Sequence, residues 1–259
     1  MLPLRDRNPT RRTPVVTIVL IVVNVAVYFL LQQPQSSDEQ QAEFIYEYAA
    51  IPCEVVTGEP LEITEIQFNQ CVREDQPGVP ELFPDKQVWL AVVFSMFFHG
   101  SLLHLGGNML FLWIFGNNIE DHLGAVRYIG FYLVAGVVAT LAHIAAQPSS
   151  VIPLVGASGA IAGVMGAYLV WFPRARILTL VFMFLLVEVQ AMWVLGFWFV
   201  SQFFIAPDSG VAWMAHVGGF VFGVAIGLLV RRSVRARQLA WRNRYVRADP
   251  YHQRYGDYY

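Results

Sequence analysis

Ser158 and His216 are the two side chains whose types and placement could do chemistry together. Ser158 lies between glycines in Gly156-Ala157-Ser158-Gly159, and His216 stands in Ala215-His216-Val217-Gly218-Gly219, each a few residues into a long apolar run. A serine hydroxyl attacks a carbonyl only when a base removes its proton, and histidine is suited to that near neutral pH. The resulting tetrahedral intermediate needs donors for its oxyanion. His104 and Asn108 are four residues apart, hence on one helix face, and both can donate, as can the Ser158 N–H. These are the parts of an acyl-transfer site. Each part also has a plainer reading alone: Ser158 and the glycines as packing residues, His104 and Asn108 as polar contacts between helices.

The elements that would position these residues are membrane helices. The chain is 56% hydrophobic and 14% charged, with a mean hydropathy of +0.48, too little charge for a soluble domain of its length. Crossing a bilayer core of about 30 Å takes about 20 helical residues. Six apolar segments approach or exceed that length: Val15–Leu31, Leu102–Phe115, Tyr128–Ala146, Val155–Phe172, Ile177–Ile205 and Val211–Val230. A further run, Val88–Phe98, is too short to cross and too apolar for a solvated loop, so it reads as a segment dipping into the outer leaflet. The fifth segment is longer than one crossing needs. Its first half, Ile177 to about Glu188, is placed along the inner interface, which spares Glu188 the bilayer centre.

Charge sets the orientation. Arg5, Arg7, Arg11 and Arg12 precede the first segment, Arg174 and Arg176 follow the fourth, and eight arginines follow Val230. The loop from Gln32 to Lys86 holds only Arg73 and Lys86 against twelve Asp and Glu. The positive-inside rule then puts both termini in the cytoplasm and the acidic loop outside. The expected organisation is a cytoplasmic arm (1–14), a six-span core (15–230) with an acidic outer loop (32–86), and a basic, disordered tail (231–259). No cleavable signal peptide is expected, because Gln32-Gln33-Pro34-Gln35 follows the first segment where small residues would stand. Segments two, four and six all run inward from the outer face. At about 1.5 Å per residue, His104, Asn108, Ser158 and His216 therefore fall within about 10 Å of one another in depth, in the outer half of the bilayer.

Gly159, Gly163 and Gly166 recur along segment four, and Gly219, Gly223 and Gly227 along segment six. Small residues so spaced let helix backbones approach closely in lipid, which is what a serine and a histidine on separate helices require.

With these residues in place the chain resembles the rhomboid family of intramembrane serine proteases. The resemblance covers roughly Val15 to Val230. It rests on Gly156-Ala157-Ser158-Gly159, on Ala215-His216-Val217-Gly218-Gly219, on His99 through Met109, and on Gly116 through Arg127. It implies an all-α six-helix bundle with a partly submerged loop between helices 1 and 2. It further implies Ser158 as nucleophile, His216 as general base in a dyad, His104 and Asn108 as oxyanion donors, and His99 as a structural brace for the submerged loop. Gly159 and Gly219 support the helix contact. There are departures. Many relatives carry a Trp-Arg pair in the loop before the His99 position, whereas Trp89 is followed by Leu90; Glu120 then needs another partner, and Arg127 is the candidate. Many relatives place an aromatic under the catalytic histidine four residues after the nucleophile, where this chain has Ala162, so His216 must be supported otherwise.

Other polar residues have more ordinary expectations. Asp208, eight residues before His216, could orient it but suits a surface or cap role. His143 reads as interfacial. Cys53 and Cys71 share the outer loop, where they are either disulfide-bonded or two free thiols. His99 and His104, five apart, would not share a helix face, and no Cys, Asp or Glu stands near them, so no metal and no cofactor are expected. The expected partners are transmembrane protein substrates and the lipid bilayer, not nucleic acid. The expected location is a prokaryotic plasma (inner) membrane, and the rival to the protease is a pseudoprotease that binds membrane helices without cutting them.

Overall fold

The computed structural model describes residues 1–33, 37–71, 79–182, 184–206 and 209–245, with 232–245 described by backbone alone. The chain is mostly helical. A short strand β1 (Leu2–Asp6) leads into α1 (Val15–Gln32), whose last turn widens to a π-helix. Three short helices follow on the acidic loop: α2 (Asp38–Tyr48), α3 (Pro52–Thr57) and α4 (Ile63–Phe68). Helix α5 (Val88–Phe97) bends by 79° into α6 (Leu102–Leu123). Then come α7 (Ala125–Ala146), α8 (Ser158–Trp171), strands β2 (Arg176–Val181) and β3 (Leu185–Gln190), α9 (Ala191–Phe204) and α10 (Trp213–Tyr245).

Three helices are long and apolar enough to cross a membrane, in α1, in α7 and over Trp213–Arg231 of α10; the bent pair α5–α6 makes a fourth. Helices α8 and α9 are shorter and apolar. The sharp bend between α5 and α6 fits the expected submerged segment, since a chain that turns back before crossing must break its helix.

Helix α8 is the centre of the molecule. Every residue from Gly159 to Tyr168 is buried, the signature of a helix apolar all round. It packs mainly on α10 and α7. The contact with α10 works at the glycines. A Cβ on Gly219 would overlap the Gly159 carbonyl, one on Gly223 the Gly163 carbonyl, and one on Gly166 the Phe220 carbonyl. The glycines of the two helices therefore interlock backbone to backbone, as their spacing predicts.

The fifth apolar segment departs from expectation, and with it the purely helical fold. Its first half is an antiparallel hairpin, β2–β3, with β1 adding a third strand on the free edge of β2. The physical reason is legible afterwards. Val187-Glu-Val-Gln alternates with β-branched residues on one face, while β1, which pairs with β2, lies some 170 residues away in sequence. Glu188 is paired with Arg7 at 2.6 Å and Arg176 at 3.6 Å. The basic tail also differs: α10 runs on to Tyr245, past Val230, because extending an existing helix through Arg, Ala, Gln and Leu is cheap. Residues 246–259 lie outside the described residues.

Candidate active site

Ser158 is the first residue of α8, so its N–H has no partner within the helix and remains available to a ligand. The approach to it depends on Gly156. That residue has φ of 125°, and a Cβ there would lie 2.9 Å from both Cε1 and Nε2 of His104, so only glycine satisfies both the turn and the imidazole. Its N–H donates to the Ser95 carbonyl at 2.9 Å, tying the loop before the serine to the end of α5.

His216 lies in the first turn of α10. The glycine interlock brings α10 close enough for its Nε2 to lie 2.8 Å from Ser158 Oγ. Its Nδ1 lies 2.7 Å from Gln202 Oε1, at the end of α9. The Trp198 ring is tilted against the imidazole with centroids 5.7 Å apart. Gln202 and Trp198 thus stand where Ala162 offers no support. Sequence reasoning missed Gln202: it is fourteen residues from His216, on another helix, and an amide carries no charge to draw notice. Asp208, the residue considered for that role, lies outside the described residues.

The dyad opens into a cavity of about 580 Å³. Its lining includes His104 and Asn108 from α6, His143 from α7 and Trp198 from α9, with Ser150, Gly210 and Val211 from the loops. Asn108 is 8% exposed and its Nδ2 is buried without a protein partner, a donor held ready for a ligand. The His104 backbone is capped by Ser101 Oγ at 3.1 Å, which starts α6 and aims its first turn at the cavity. His143 is buried, on the cavity wall.

His99 precedes α6 rather than lying on it, so the helical-angle argument separating it from His104 fails; the rings meet edge-to-face at 5.1 Å. Its backbone is braced by α1: Gln32 Nε2 donates to the His99 carbonyl at 3.2 Å, and the His99 N–H donates to Gln32 Oε1 at 3.1 Å. The Glu120–Arg127 pairing is also corrected. Glu120 Oε1 accepts from the Val16 N–H, and Oε2 from the Thr17 N–H and hydroxyl, all at 2.8 Å. Arg127 is exposed. The carboxylate caps the start of α1, where the N–H groups lack helical partners. Cys53 and Cys71 are joined by a disulfide. Together with Glu65 they form the one His/Cys/Asp/Glu cluster of ion-binding dimensions among the described residues, and sulfurs bonded to each other are not metal ligands.

The Rhomboid domain model matches residues 85–233, more than half of the chain and all of the residues around this cavity. The chain belongs to the rhomboid family. It is 32% identical over 158 residues to Rhomboid protein 1, mitochondrial, of Saccharomyces cerevisiae, covering 58% of this chain and 44% of that protein. It is 30% identical over 165 residues to the human Presenilin-associated rhomboid-like protein, mitochondrial, covering 59% and 39%. It is 36% identical over 81 residues to Rhomboid protease GluP of Bacillus subtilis, covering 31% and 15%. The chain thus spans less than half the length of these relatives. The expected location in a prokaryotic plasma membrane is overturned by these names: the longest of these matches are to rhomboid proteins named mitochondrial, in yeast and in man.

Proposed function

We propose that this rhomboid chain is an intramembrane serine endopeptidase. The observation that carries the reading is the 2.8 Å contact between Ser158 Oγ and His216 Nε2 at the wall of a cavity that His104 and Asn108 also line. In this reading α8 and α9 also cross the bilayer, giving six spans with both termini on the arginine-rich side. Helix α8 can be short because protein surrounds it. The substrate is a membrane protein whose helix unwinds locally to present a peptide bond, and the relatives' names direct the search to mitochondrial membranes.

Ser158 donates its proton to His216 Nε2 as its oxygen attacks the carbonyl. The oxyanion accepts from the Ser158 N–H, Asn108 and His104. His216 then passes the proton to the leaving amine, and water entering from the acidic-loop side hydrolyses the acyl-enzyme with His216 again as base. No cofactor takes part.

Cleavage of a single-pass substrate in proteoliposomes tests the reading. Wild type is expected to cut and Ser158→Ala is not. Equal cleavage by the two overturns it, and absence of cleavage by wild type, with no labelling of Ser158 by a fluorophosphonate, favours a helix-binding pseudoprotease.

A further inference from the structure

We infer that Gln202 is a positioning residue that fixes the tautomer and orientation of His216. This rests on the protease reading above and extends its dyad to a relay of Ser158, His216 and Gln202. The argument turns on which end of the Gln202 amide faces the imidazole. Gln202 is 4% exposed. Its Nε2 lies 2.9 Å from the Trp198 carbonyl oxygen and 3.3 Å from Ser201 Oγ. A carbonyl oxygen only accepts, so the amide end facing it carries the hydrogens. The other end, Oε1, therefore faces His216 Nδ1 at 2.7 Å, and it too only accepts. Nδ1 must then carry the imidazole proton. That leaves the lone pair on Nε2, aimed at the Ser158 hydroxyl 2.8 Å away. A single backbone carbonyl, that of Trp198, thus sets the chain of donors and acceptors through to the nucleophile.

A carboxylate in this place would also stabilise the imidazolium by charge, but a buried carboxylate at membrane depth is costly. A neutral amide keeps the orienting function without that penalty. The other titratable groups facing the cavity are His104 from α6 and His143 from α7; no carboxylate lines it among the described residues.

Two measurements test this, one of them without any variant. In wild type labelled with ¹⁵N-histidine in detergent micelles, the neutral His216 is expected as the Nδ1–H tautomer; an Nε2–H tautomer overturns the proposal. In the cleavage assay, Gln202→Leu is expected to lower kcat on the order of 10²-fold with KM nearly unchanged. Gln202→Glu is expected to restore activity in part and to move the acid limb of the kcat–pH profile upward, because a carboxylate favours the imidazolium. If wild type cleaves in a Ser158-dependent manner while folded Gln202→Leu keeps the wild-type kcat and pH profile, the positioning role fails and the protease reading stands. If cleavage is indifferent to Ser158→Ala, the protease reading fails first.

Discussion

Glu120 shows how a charged residue can be found in a sequence while its partner is not. Its position after Gly116-Asn-Asn-Ile marked it, and Arg127 was the charge within reach. The carboxylate instead takes two backbone N–H groups and a hydroxyl at the start of α1, and backbone donors at a helix start have no signature in side-chain identity. Gln202 escaped for the same reason in reverse, as a neutral amide serving a residue on another helix. That Ser158, His216, His104 and Asn108 line one cavity was legible, because chemistry restricts their types and helix spacing restricts where they fall. Glu120 is 5% exposed, so its role has a measurable consequence. Glu120→Gln turns an amide NH₂ toward the donors of Val16 or Thr17 and removes charge from bonds worth about 1.5–3 kcal/mol each. A loss of about 2–3 kcal/mol is expected, read as a lower thermal midpoint in detergent, whereas Arg127→Gln leaves the midpoint unchanged. Equal effects of the two would restore the ion-pair assignment.

At the scale of elements, glycine spacing was the most reliable guide and local hydropathy the least. The recurring glycines on α8 and α10 foretold an interlock because backbone contact admits no Cβ. The same hydropathy that identified long helices ran β2 and β3 together with α9, since apolarity alone does not separate a strand from a helix. A graded series follows from the space at each glycine. At Gly223 an added Cβ meets the Gly163 backbone; at Gly227 it would lie 3.1–3.3 Å from Val170 and Ala167; at Gly130 it would meet nothing within 4 Å. Gly223→Ala is expected to cost more than about 3 kcal/mol and to abolish cleavage, since α10 moves away carrying His216. Gly227→Ala should cost about 1 kcal/mol, through small shifts of Val170 and Ala167. Gly130→Ala should stabilise by about 0.5–1 kcal/mol, the helix propensity difference. Midpoints of the three variants in one detergent give the order, and a Gly223→Ala protein as stable as Gly130→Ala would refute the interlock.

The whole molecule has a polar structure at each end of the bundle, and the two are built differently. On the acidic-loop side, 37–71 and 79–87 fold onto the bundle rather than trailing from it. Leu154 N–H donates to the Ala50 carbonyl at 2.8 Å, Cys53 N–H to the Ser150 carbonyl at 3.0 Å, and Ala50 N–H to Ser95 Oγ at 2.6 Å. Lys86 and Glu54 form a buried pair at 2.5 Å; burial pushes the lysine down and the carboxyl up in pKa, and each partner opposes the other's shift. These contacts reach the loop before Ser158, yet only the cysteines were legible, because the segment is polar and has no apolar period.

On the arginine side the equivalent tie is Asp6 of β1, which accepts from Asn118 Nδ2 at 2.6 Å and Tyr168 Oη at 3.0 Å, joining the N-terminal strand to α6 and to the helix that begins with Ser158. Burial pushes the Asp6 carboxyl from 3.8 up to about 6 against those two hydrogen bonds. A group whose native pKa is raised stabilises most when protonated. Its contribution is complete below pH 3.8 and is lost as pH rises through about 6, at most about 3 kcal/mol. Asn at this position keeps an oxygen acceptor and never ionises. The midpoint of Asp6→Asn should therefore match wild type near pH 3, exceed it increasingly up to about pH 6 and hold that lead to pH 7.5. A difference that stays constant across that range would mean that Asp6 is ionised throughout, with its two hydrogen bonds outweighing its burial.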